Sequence, residues 1–368
     1  SKVQIGGQFL RACRGPSVFW PHQSQFMIIV TGGAGFIGSN LIRELNRLGE
    51  DNIIVVDNLA KADKHRNLNH LQIADFIDKR DFLAQLPRLG RIDTIFHQGA
   101  CSSTTETDGR YMMDNNYQYS KGILNHALAQ KVDFLYASSA AVYGHGVLGF
   151  RENPTCEDPL NVYAYSKFLF DHYVRRILKN QAPKSQVLGL RYFNVYGPQE
   201  RHKGSMASVM HHFYHQSQEQ QVIRPLEGSE DFRRDYVWED DVVQVNLFFY
   251  RTKKNGIYNC GTGTARSFME IANLMHALEP KASLDPLPFP AHLKGKYQTH
   301  TQADLTALRQ AGYKAPFTAL EIGVKAYHSY LKHHEGLYPK TLKALPIAPT
   351  TPKGPERDLS GDSTVWHK

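Results

Sequence analysis

A tyrosine and a lysine that can act together on a proton stand four positions apart in this chain. Tyr163 and Lys167 lie in the segment Asn-Val-Tyr-Ala-Tyr-Ser-Lys, and Ser139 precedes them. Residues at i and i+4 share one face of a helix, so these two side chains can meet at one ligand, whereas Tyr165 faces elsewhere. With Asn161 as N-cap, the ammonium and the helix N-terminus should lower the pKa of the Tyr163 phenol from about 10. Ser139 would hydrogen-bond the oxygen of an alcohol under oxidation, which is the layout of a nicotinamide-dependent oxidoreductase.

A glycine-rich turn near the start of the chain predicts a dinucleotide site. The apolar segment 27–31 runs into Gly-Gly-Ala-Gly-Phe-Ile-Gly, which contains G-x-G-x-x-G. Glycine permits the tight turn and the close approach of backbone to a pyrophosphate, and the next helix points its N-terminus at the phosphates. Asp57 ends the second apolar run and by itself favours NAD, because a carboxylate binds the ribose 2′-hydroxyl. Lys64 and Lys79 either reach the 2′-phosphate of NADP or are solvated loop charges, so the residues alone leave the choice open.

Alternating apolar runs and amphipathic segments must position these groups. The apolar runs are typical of buried parallel strands and cover residues 53–56, 94–96, 134–136 and 187–190. Helical periodicity covers residues 39–48, 116–129 and 163–178. This alternation predicts an α/β fold, a doubly wound parallel Rossmann sheet with a smaller, interleaved C-terminal α/β substrate domain.

The predicted domains interleave along the chain. The cofactor domain takes residues 27–193 plus 235–264, and the substrate domain takes 194–234 plus 265–334. A helix near 206–218 and a helix that begins after Ser267, its predicted N-cap, belong to the second domain. Residues 1–26 are interpreted as an extension that is disordered or derived from a start-site artefact, and 335–368 as a flexible tail.

Composition excludes several classes of protein. Of the net charge of +8, the first 26 residues carry +3 and the last 34 carry +1, which leaves +4 for the body without a basic stripe. That balance suits an anionic small molecule rather than nucleic acid. The four cysteines lack metal or disulfide spacing, which indicates a reducing compartment. No apolar run approaches the roughly 20 residues of a membrane helix.

Several longer blocks resemble the extended short-chain dehydrogenase/reductase superfamily, and within it the ADP-L-glycero-D-manno-heptose 6-epimerase family. The blocks are residues 98–105, 111–120, 191–198, 202–208 and 294–298, and the resemblance covers 27–334. It implies conversion of ADP-D-glycero-D-manno-heptose to its L-glycero epimer through a transient C6 ketone. It also implies a bacterial cytoplasmic homo-oligomer, with pentamers known among its members, that serves lipopolysaccharide precursor synthesis.

The resemblance implies NADP as cofactor, with NAD second, because Lys64 and Lys79 would take the 2′-phosphate. Gln98 departs from the glutamate that is frequent in the family. The implied cofactor-binding residues are Gly32, Gly35, Phe36, Ile37, Gly38, Asp57, Asn58, Lys64, Lys79, Gln98, Gly99, Ala100, Cys101, Ser102, Asn115, Lys167 and Val195.

The resemblance further implies that Tyr163 and Lys203 are the acid/base pair, with Ser139 and Lys167 in support. The implied substrate-binding residues are Ser139, Asn194, Lys203, Ser205, His212, Leu226, Glu227, Gly228, Ser229, Arg234 and Tyr297. Leu226 stands where phenylalanine is expected. Lys203 has the alternative of a solvated loop lysine, and Arg234 that of a surface ion pair with Asp231. The histidines around His212 do not form a metal-binding spacing.

Four other functions are less consistent with these residues. A related 4-epimerase is the nearest alternative. A dehydratase of this superfamily would need an acid pair beside Ser139, where the chain has Ala140 and Ala141. A silent NADP sensor or a scaffold would have no use for both Tyr163 and Lys167.

Overall fold

The larger part of the fold is a seven-stranded parallel sheet. The structure is a computed structural model that describes residues 27–289 and 298–339. Its strands are β1 (Met27–Thr31), β2 (Ile53–Asp57), β3 (Asp75–Asp78), β4 (Ile92–His97), β5 (Asp133–Ser139), β6 (Val187–Tyr192), β7 (Asn194–Tyr196), β8 (Val222–Ile223), β9 (Arg233–Trp238), β10 (Gly256–Cys260), β11 (Ala265–Ser267) and β12 (Ser283–Leu284). The order in the sheet is β10-β6-β5-β4-β1-β2-β3. The order reverses between β1 and β4, which opens a crevice at the carboxyl ends of the strands.

Helices flank the large sheet and also build the smaller region. They are α1 (Phe36–Arg47), α2 (Lys79–Gln85), α3 (Gly109–Met113), α4 (Tyr119–Gln130), α5 (Val162–Gln181), α6 (Val209–Gln220), α7 (Glu239–Thr252), α8 (Phe268–Leu278), α9 (Thr306–Gln310) and α10 (Leu320–His334). All four strands predicted from the apolar runs are present, and so is the doubly wound α/β class. The helix predicted from residue 116 instead begins earlier, since α3 runs directly into a π-helical turn over Asp114–Gln118 that continues as α4.

Both faces of the sheet are buried, which explains why the strands are apolar throughout. In β1, Ile28 and Val30 belong to one apolar cluster together with Leu41 of α1. Ile29 belongs to a second cluster together with Phe170 of α5. Successive side chains of a strand point to opposite faces, so helices cover the sheet on both sides.

A smaller α/β region is built from the strands that do not belong to the seven-stranded sheet. It has a three-stranded sheet, β11-β9-β7, and a two-stranded sheet, β12-β8. Helices α6, α8 and α10 share its core, which includes Met210, Ile271 and Tyr327. Ser267 is confirmed as the N-cap of α8, where it forms a reciprocal capping box with Glu270. The domain boundaries stay a prediction.

The chain continues to pack after α10. Glu335 forms ion pairs with Arg66 and Arg201, and the hydroxyl of Tyr338 donates to Glu239 Oε1 at 2.5 Å. Residues 335–338, which the sequence assigned to the tail, therefore contact the body of the protein. The extension 1–26, the rest of the tail and Tyr297 lie outside the described residues. Within 27–289 and 298–339, no helix has the length and apolar character to cross a membrane.

A buried carboxyl group on α7 predicts a pH dependence of stability. Asp241 accepts hydrogen bonds from the backbone N–H of Thr318 at 2.8 Å and from its hydroxyl at 3.1 Å. Burial raises the pKa of Asp241 to about 7. The native state thus keeps a proton that the unfolded chain releases near about pH 4, so this residue makes the free energy of unfolding fall as pH rises from 4 to 7.

Asp241→Asn should remove that fall because the amide does not titrate. Relative to the wild type, the variant should gain about 2–4 kcal/mol of stability between pH 4 and pH 7. Urea unfolding of both proteins across this interval measures the gain. A difference in stability that stays constant with pH would contradict the prediction.

Candidate active site

The glycine turn after β1 leaves no room for side chains. Gly32 has a φ of +67°, and a Cβ there would lie 2.6 Å from the backbone of Gly99. A Cβ on Gly38 would lie 2.2 Å from the Gly32 carbonyl oxygen. The turn delivers the chain directly into α1, and no described side chain caps that helix. The first N–H groups of α1, from Phe36 onward, are therefore open to an anion such as a diphosphate.

Asp57 at the end of β2 is fixed by the same turn. Its Oδ2 accepts from the backbone N–H of Ala34 at 2.9 Å, and its Oδ1 accepts from that of Asn58 at 2.7 Å. Lys64 forms an ion pair with Oδ1 and is largely buried, at 13% side-chain exposure. Lys64 is thus not a solvated loop charge. The carboxylate and the ammonium lie where the sequence predicts the adenosine ribose.

Lys79 begins α2 at the neighbouring strand end. Its Nζ donates to Asn115 Oδ1 at 2.6 Å, so two predicted cofactor residues from distant segments are in contact. The contact joins the end of β3 to the helical turn before α4. These groups fit a dinucleotide that crosses the carboxyl edge of the sheet.

The loop after β4 packs between the glycine turn and α5. Thr31 Oγ1 accepts from the Gly99 backbone N–H at 3.2 Å. Asn116 accepts from the Cys101 backbone N–H at 2.8 Å and donates to Ser166 Oγ at 3.1 Å. The loop that contains the predicted residues Gln98 to Ser102 is therefore attached to the helix that presents Tyr163. Asn116 was missed by the sequence reasoning, although it lies within the resembling block 111–120.

Gln98 has partners suited to an amide. Its Oε1 accepts from the Tyr192 hydroxyl at 2.9 Å, and its Nε2 donates to Asn246 Oδ1 at 3.4 Å. A glutamate has no donor for the second bond unless it is protonated. The departure from the family pattern is thus accommodated by Asn246.

The N-terminal turn of α5 brings Tyr163 and Lys167 to Ser139. Asn161 is confirmed as the N-cap, since its side chain accepts from the Ala164 N–H at 2.9 Å. Ser139 ends β5 and is hydrogen-bonded with Tyr163. Lys167 is 5% exposed and donates to the Ala137 carbonyl at 2.7 Å.

The pKa of Tyr163 moves opposite to the expectation from sequence. Burial raises it above 10, and the hydrogen bond with Ser139 offsets only part of that rise. Burial likewise lowers the pKa of Lys167 to about 8. The expectation of a lowered phenol pKa was wrong because the sequence pattern shows neighbouring charges but not how far they are removed from water. Tyr165, in contrast, is 45% exposed and turned away, as expected.

A cavity of about 500 Å³ lies next to the smaller sheet and gathers five of the predicted substrate residues. These five are Asn194, Lys203, Ser205, His212 and Arg234. The sequence reasoning missed seven others: Thr104, Met206, Ala207, Ser208, Val209, Tyr236 and Phe268. Thr104 and Met206 to Ser208 lie inside resembling blocks, which was the available signal. No signal in the sequence marked Val209, Tyr236 and Phe268, because only the tertiary fold brings their side chains to the cavity.

Lys203 connects this cavity to the glycine turn. It lies on the helical segment 201–206, which kinks at Gly204 with a φ of +58°. Its Nζ is 5.0 Å from the centre of the Phe36 ring and 3.4 Å from Glu200 Oε2. With 22% side-chain exposure and both contacts, Lys203 is not a solvated loop lysine. Glu200 is fully buried and was not predicted.

Arg234 is a buried residue of the same cavity. It is 6% exposed and donates to the Arg233 carbonyl at 2.9 Å and to that of Gln298. Its guanidinium also lies over the ring of Phe268, 5.4 Å from the centre. The Arg234 side chain is therefore enclosed and does not form an exposed ion pair at the surface.

The predicted residues Leu226 to Ser229 form a tight turn beside residue 287. Glu227 donates its backbone N–H to the Leu287 carbonyl at 2.8 Å, and Gly228 has a φ of +79°. This turn is not among the residues that line the cavity. Val195 lies in β7 beside Asn194 and packs on the core of the large sheet. No group of three His, Cys, Asp or Glu residues within the described ranges is arranged to hold a metal ion.

Comparison with known proteins agrees with this geometry. The model of the NAD dependent epimerase/dehydratase family matches residues 28–261. The chain belongs to this family. Its match spans β1 to β10, which includes the glycine turn, Tyr163 and Lys203.

Three proteins of the epimerase/dehydratase family show the similarity in more detail. The chain is 53% identical over 315 residues to the ADP-L-glycero-D-manno-heptose-6-epimerase of Brachyspira hyodysenteriae, covering 84% of this chain and 99% of the relative. The ADP-L-glycero-D-manno-heptose-6-epimerase of Helicobacter pylori superposes with a TM-score of 0.73 at 30% identity, covering 84% and 96% of the two chains. A Thermus thermophilus UDP-glucose 4-epimerase, solved with NAD, has a TM-score of 0.71 at 25% identity, covering 84% and 100%.

Proposed function

We propose that this epimerase inverts C6 of ADP-D-glycero-D-manno-heptose to give ADP-L-glycero-D-manno-heptose, a step in lipopolysaccharide precursor synthesis. The 53% identity across 99% of the Brachyspira enzyme carries the choice of substrate. The geometry supports it, because Lys203 lines the cavity and also lies over Phe36 of the glycine turn. A sugar in the cavity would thus lie beside a dinucleotide on the turn.

The chemistry of C6 requires oxidation before inversion. No carbonyl stabilises a carbanion at C6, so direct removal of the C6 proton is unfavourable. A nicotinamide cofactor, held by the glycine turn and Lys167, would supply the alternative of reversible hydride transfer at C6. Tyr163 and Lys203 remove and return the hydroxyl proton in the two orientations of C6.

Other residues of the site hold the reacting groups. Ser139 hydrogen-bonds the C6 oxygen, and Lys167 binds the nicotinamide ribose. Arg234 pairs with the substrate diphosphate, for which a guanidinium fork is well suited. Asn194 and His212 contact the nucleotide sugar from the cavity wall.

The first experiment is proton NMR of ADP-D-glycero-D-manno-heptose incubated with the purified protein and no added cofactor. Growth of the L-glycero epimer to an equilibrium mixture is the expected result, since the cofactor is regenerated in each cycle. No change, even after NADP⁺ and then NAD⁺ are added, would reject the heptose substrate.

We infer that NADP is the preferred cofactor. Lys64 and Lys79 supply two cations near Asp57 and Asn115, and a 2′-phosphate beside the Asp57 carboxylate requires such charge to offset repulsion. The site also fits NAD, which the Thermus relative binds, so the preference rests on these two lysines.

Lys64→Ala tests this preference. A charge-assisted hydrogen bond contributes about 1.5–3 kcal/mol, so affinity for NADP⁺ should fall about 10- to 100-fold while affinity for NAD⁺ changes little. Equilibrium titration of cofactor-free protein measures both dissociation constants. Lys131→Ala, at the exposed end of α4, is the matched control. An equal loss for both cofactors would show that Lys64 acts only through Asp57.

The oligomer, the cytoplasmic location and the domain division are further proposals. Homo-oligomer formation follows from the family resemblance, and sedimentation equilibrium measures the number of subunits.

A further inference from the structure

A chain of polar side chains leads from Lys203 into the protein. Lys203 Nζ lies 3.4 Å from Glu200 Oε2. Glu200 is hydrogen-bonded with the hydroxyl of Tyr327. Tyr327 Oη in turn lies 3.2 Å from His211 Nδ1. Three consecutive contacts therefore join the cavity lysine to a histidine on α6.

The chain is buried in its middle and reaches water at its far end. Glu200 is 0% exposed, Tyr327 is 1% exposed and His211 is 8% exposed. The ring of His215 lies 4.5 Å from that of His211, centre to centre, and the His215 side chain is 45% exposed. His211 thus lies beside a partly exposed imidazole on α6.

Ser208 holds the central carboxylate in place. Its backbone N–H donates to Glu200 Oε2 at 2.7 Å, and its hydroxyl donates to Oε1 at 2.5 Å. Ser208 also caps α6, the helix that presents His211. Ser208 therefore fixes Glu200 relative to the helix that presents His211.

Tyr327 and His211 can each donate and accept a proton. Burial raises the pKa of Tyr327, so its hydroxyl stays protonated and donates to Glu200. Burial lowers the pKa of His211 to about 3, so its imidazole is neutral, with one donor and one acceptor nitrogen. Such groups pass a proton along a chain by donating one and accepting another.

We propose that Glu200, Tyr327 and His211 form a proton relay that resets Lys203 between turnovers. The proposal rests on the proposed epimerase function. In net conversion of one epimer, one of Tyr163 and Lys203 takes a proton and the other gives one. Each net turnover leaves their protonation states exchanged, so Lys203 must recover its proton before the same epimer reacts again.

The transfers balance without any electron movement. Glu200 accepts hydrogen bonds from Lys203, Ser208 and Tyr327, so it has no proton of its own to give. After Lys203 has protonated the substrate oxygen, the Tyr327 hydroxyl transfers its proton to Glu200, which transfers a proton to Lys203. Tyr327 recovers a proton from His211 Nδ1, and His211 Nε2 takes one from the solvent side. Rotation of the Tyr327 hydroxyl and of the His211 ring then restores the starting hydrogen bonds. One proton thus moves from solvent to Lys203, and the reverse sequence discharges the lysine when the other epimer reacts.

Tyr327→Phe tests the relay because it removes the hydroxyl and keeps the ring. Net conversion of either pure epimer, followed by NMR, should slow at least about tenfold after the first turnover. Exchange of isotopic label between the epimers at equilibrium should keep the wild-type rate. At equilibrium each reaction restores the protonation state that the opposite reaction needs, so no reset is required.

Tyr338→Phe is the matched control. Tyr338 also donates from a buried hydroxyl to a buried carboxylate, that of Glu239, but neither residue belongs to the proposed relay. It should match the wild type in both assays. Glu200→Gln should reproduce the selective loss, and it decides the matter if the thermal midpoint shows that Tyr327→Phe is unfolded. An equal loss of rate in both assays would show that the substitution displaces Lys203. Wild-type rates in both assays would show that no relay operates. Either result overturns the proposal. Failure of the proposed function is distinct, because the wild type would then be inactive in both assays.

Discussion

Tyr163→Phe is expected to lower the rate of epimerisation at least about 100-fold while the protein remains folded and retains its cofactor. General acid–base groups contribute about 10²- to 10⁴-fold, and the variant removes the only atom of Tyr163 that can exchange a proton. The phenylalanine ring fills the volume of the tyrosine ring, so the packing of α5 should be kept. NMR of the substrate measures the rate, and the thermal midpoint and the nicotinamide absorbance measure folding and cofactor content.

Tyr165→Phe is the matched control for this variant. Tyr165 lies two positions away on the same helix and is 45% exposed. Its loss of a hydroxyl should leave the rate unchanged. If Tyr163→Phe turns over at close to the wild-type rate, Tyr163 has no part in the mechanism.

Lys203→Met should produce a loss of similar size for a different reason. Methionine keeps the unbranched length that packs near Phe36 but has no proton to give or take. The contact with Glu200 is also lost, so a rate at least about 100-fold lower is expected, with cofactor binding intact. Lys61→Met is the control, because Lys61 donates to the His202 carbonyl of the same segment at 3.2 Å and does not line the cavity.

The Tyr163 and Lys203 variants should also differ from each other. If the two groups serve opposite orientations of C6, each variant still oxidises one epimer and not the other. The reduced nicotinamide that accumulates with each pure epimer is visible by its near-ultraviolet absorbance. The same epimer preference in both variants would contradict the assignment of two separate acid/base groups.

Local sequence patterns predicted the fold class, because the burial of each strand is visible in its composition. The apolar runs that became β2, β4, β5 and β6 are buried on both faces, so their composition alone distinguishes them from the amphipathic helices. The N-caps Asn161 and Ser267 are recognisable because a side-chain oxygen must satisfy an N–H group in the first turn. The predicted start at residue 116 was less accurate, because the helical structure already begins at Gly109 and continues through a π-helical turn in which Asn116 contacts the β4 loop and α5.

The residues of the candidate site form two groups, those predicted from spacing within one element and those that come from separate segments. Groups of the glycine turn and the Tyr163–Lys167 pair follow from spacing within one element. Lys203, Arg234 and Asn194 could be placed together only by family resemblance, since the chain brings them to one cavity from separate segments. Nothing in the sequence indicated Glu200, which is surrounded by Ser208 and Tyr327.

Residues a few positions apart were enough to predict the fold class, the dinucleotide turn and the pairing of a phenol with an ammonium. The folded structure was needed to show that burial raises the pKa of Tyr163 and that Lys64 pairs with Asp57. It also decided that Lys203 is connected through Glu200 to α10 and α6. These features depend on how far each group is removed from water and on contacts between distant segments, and neither quantity is encoded in local spacing.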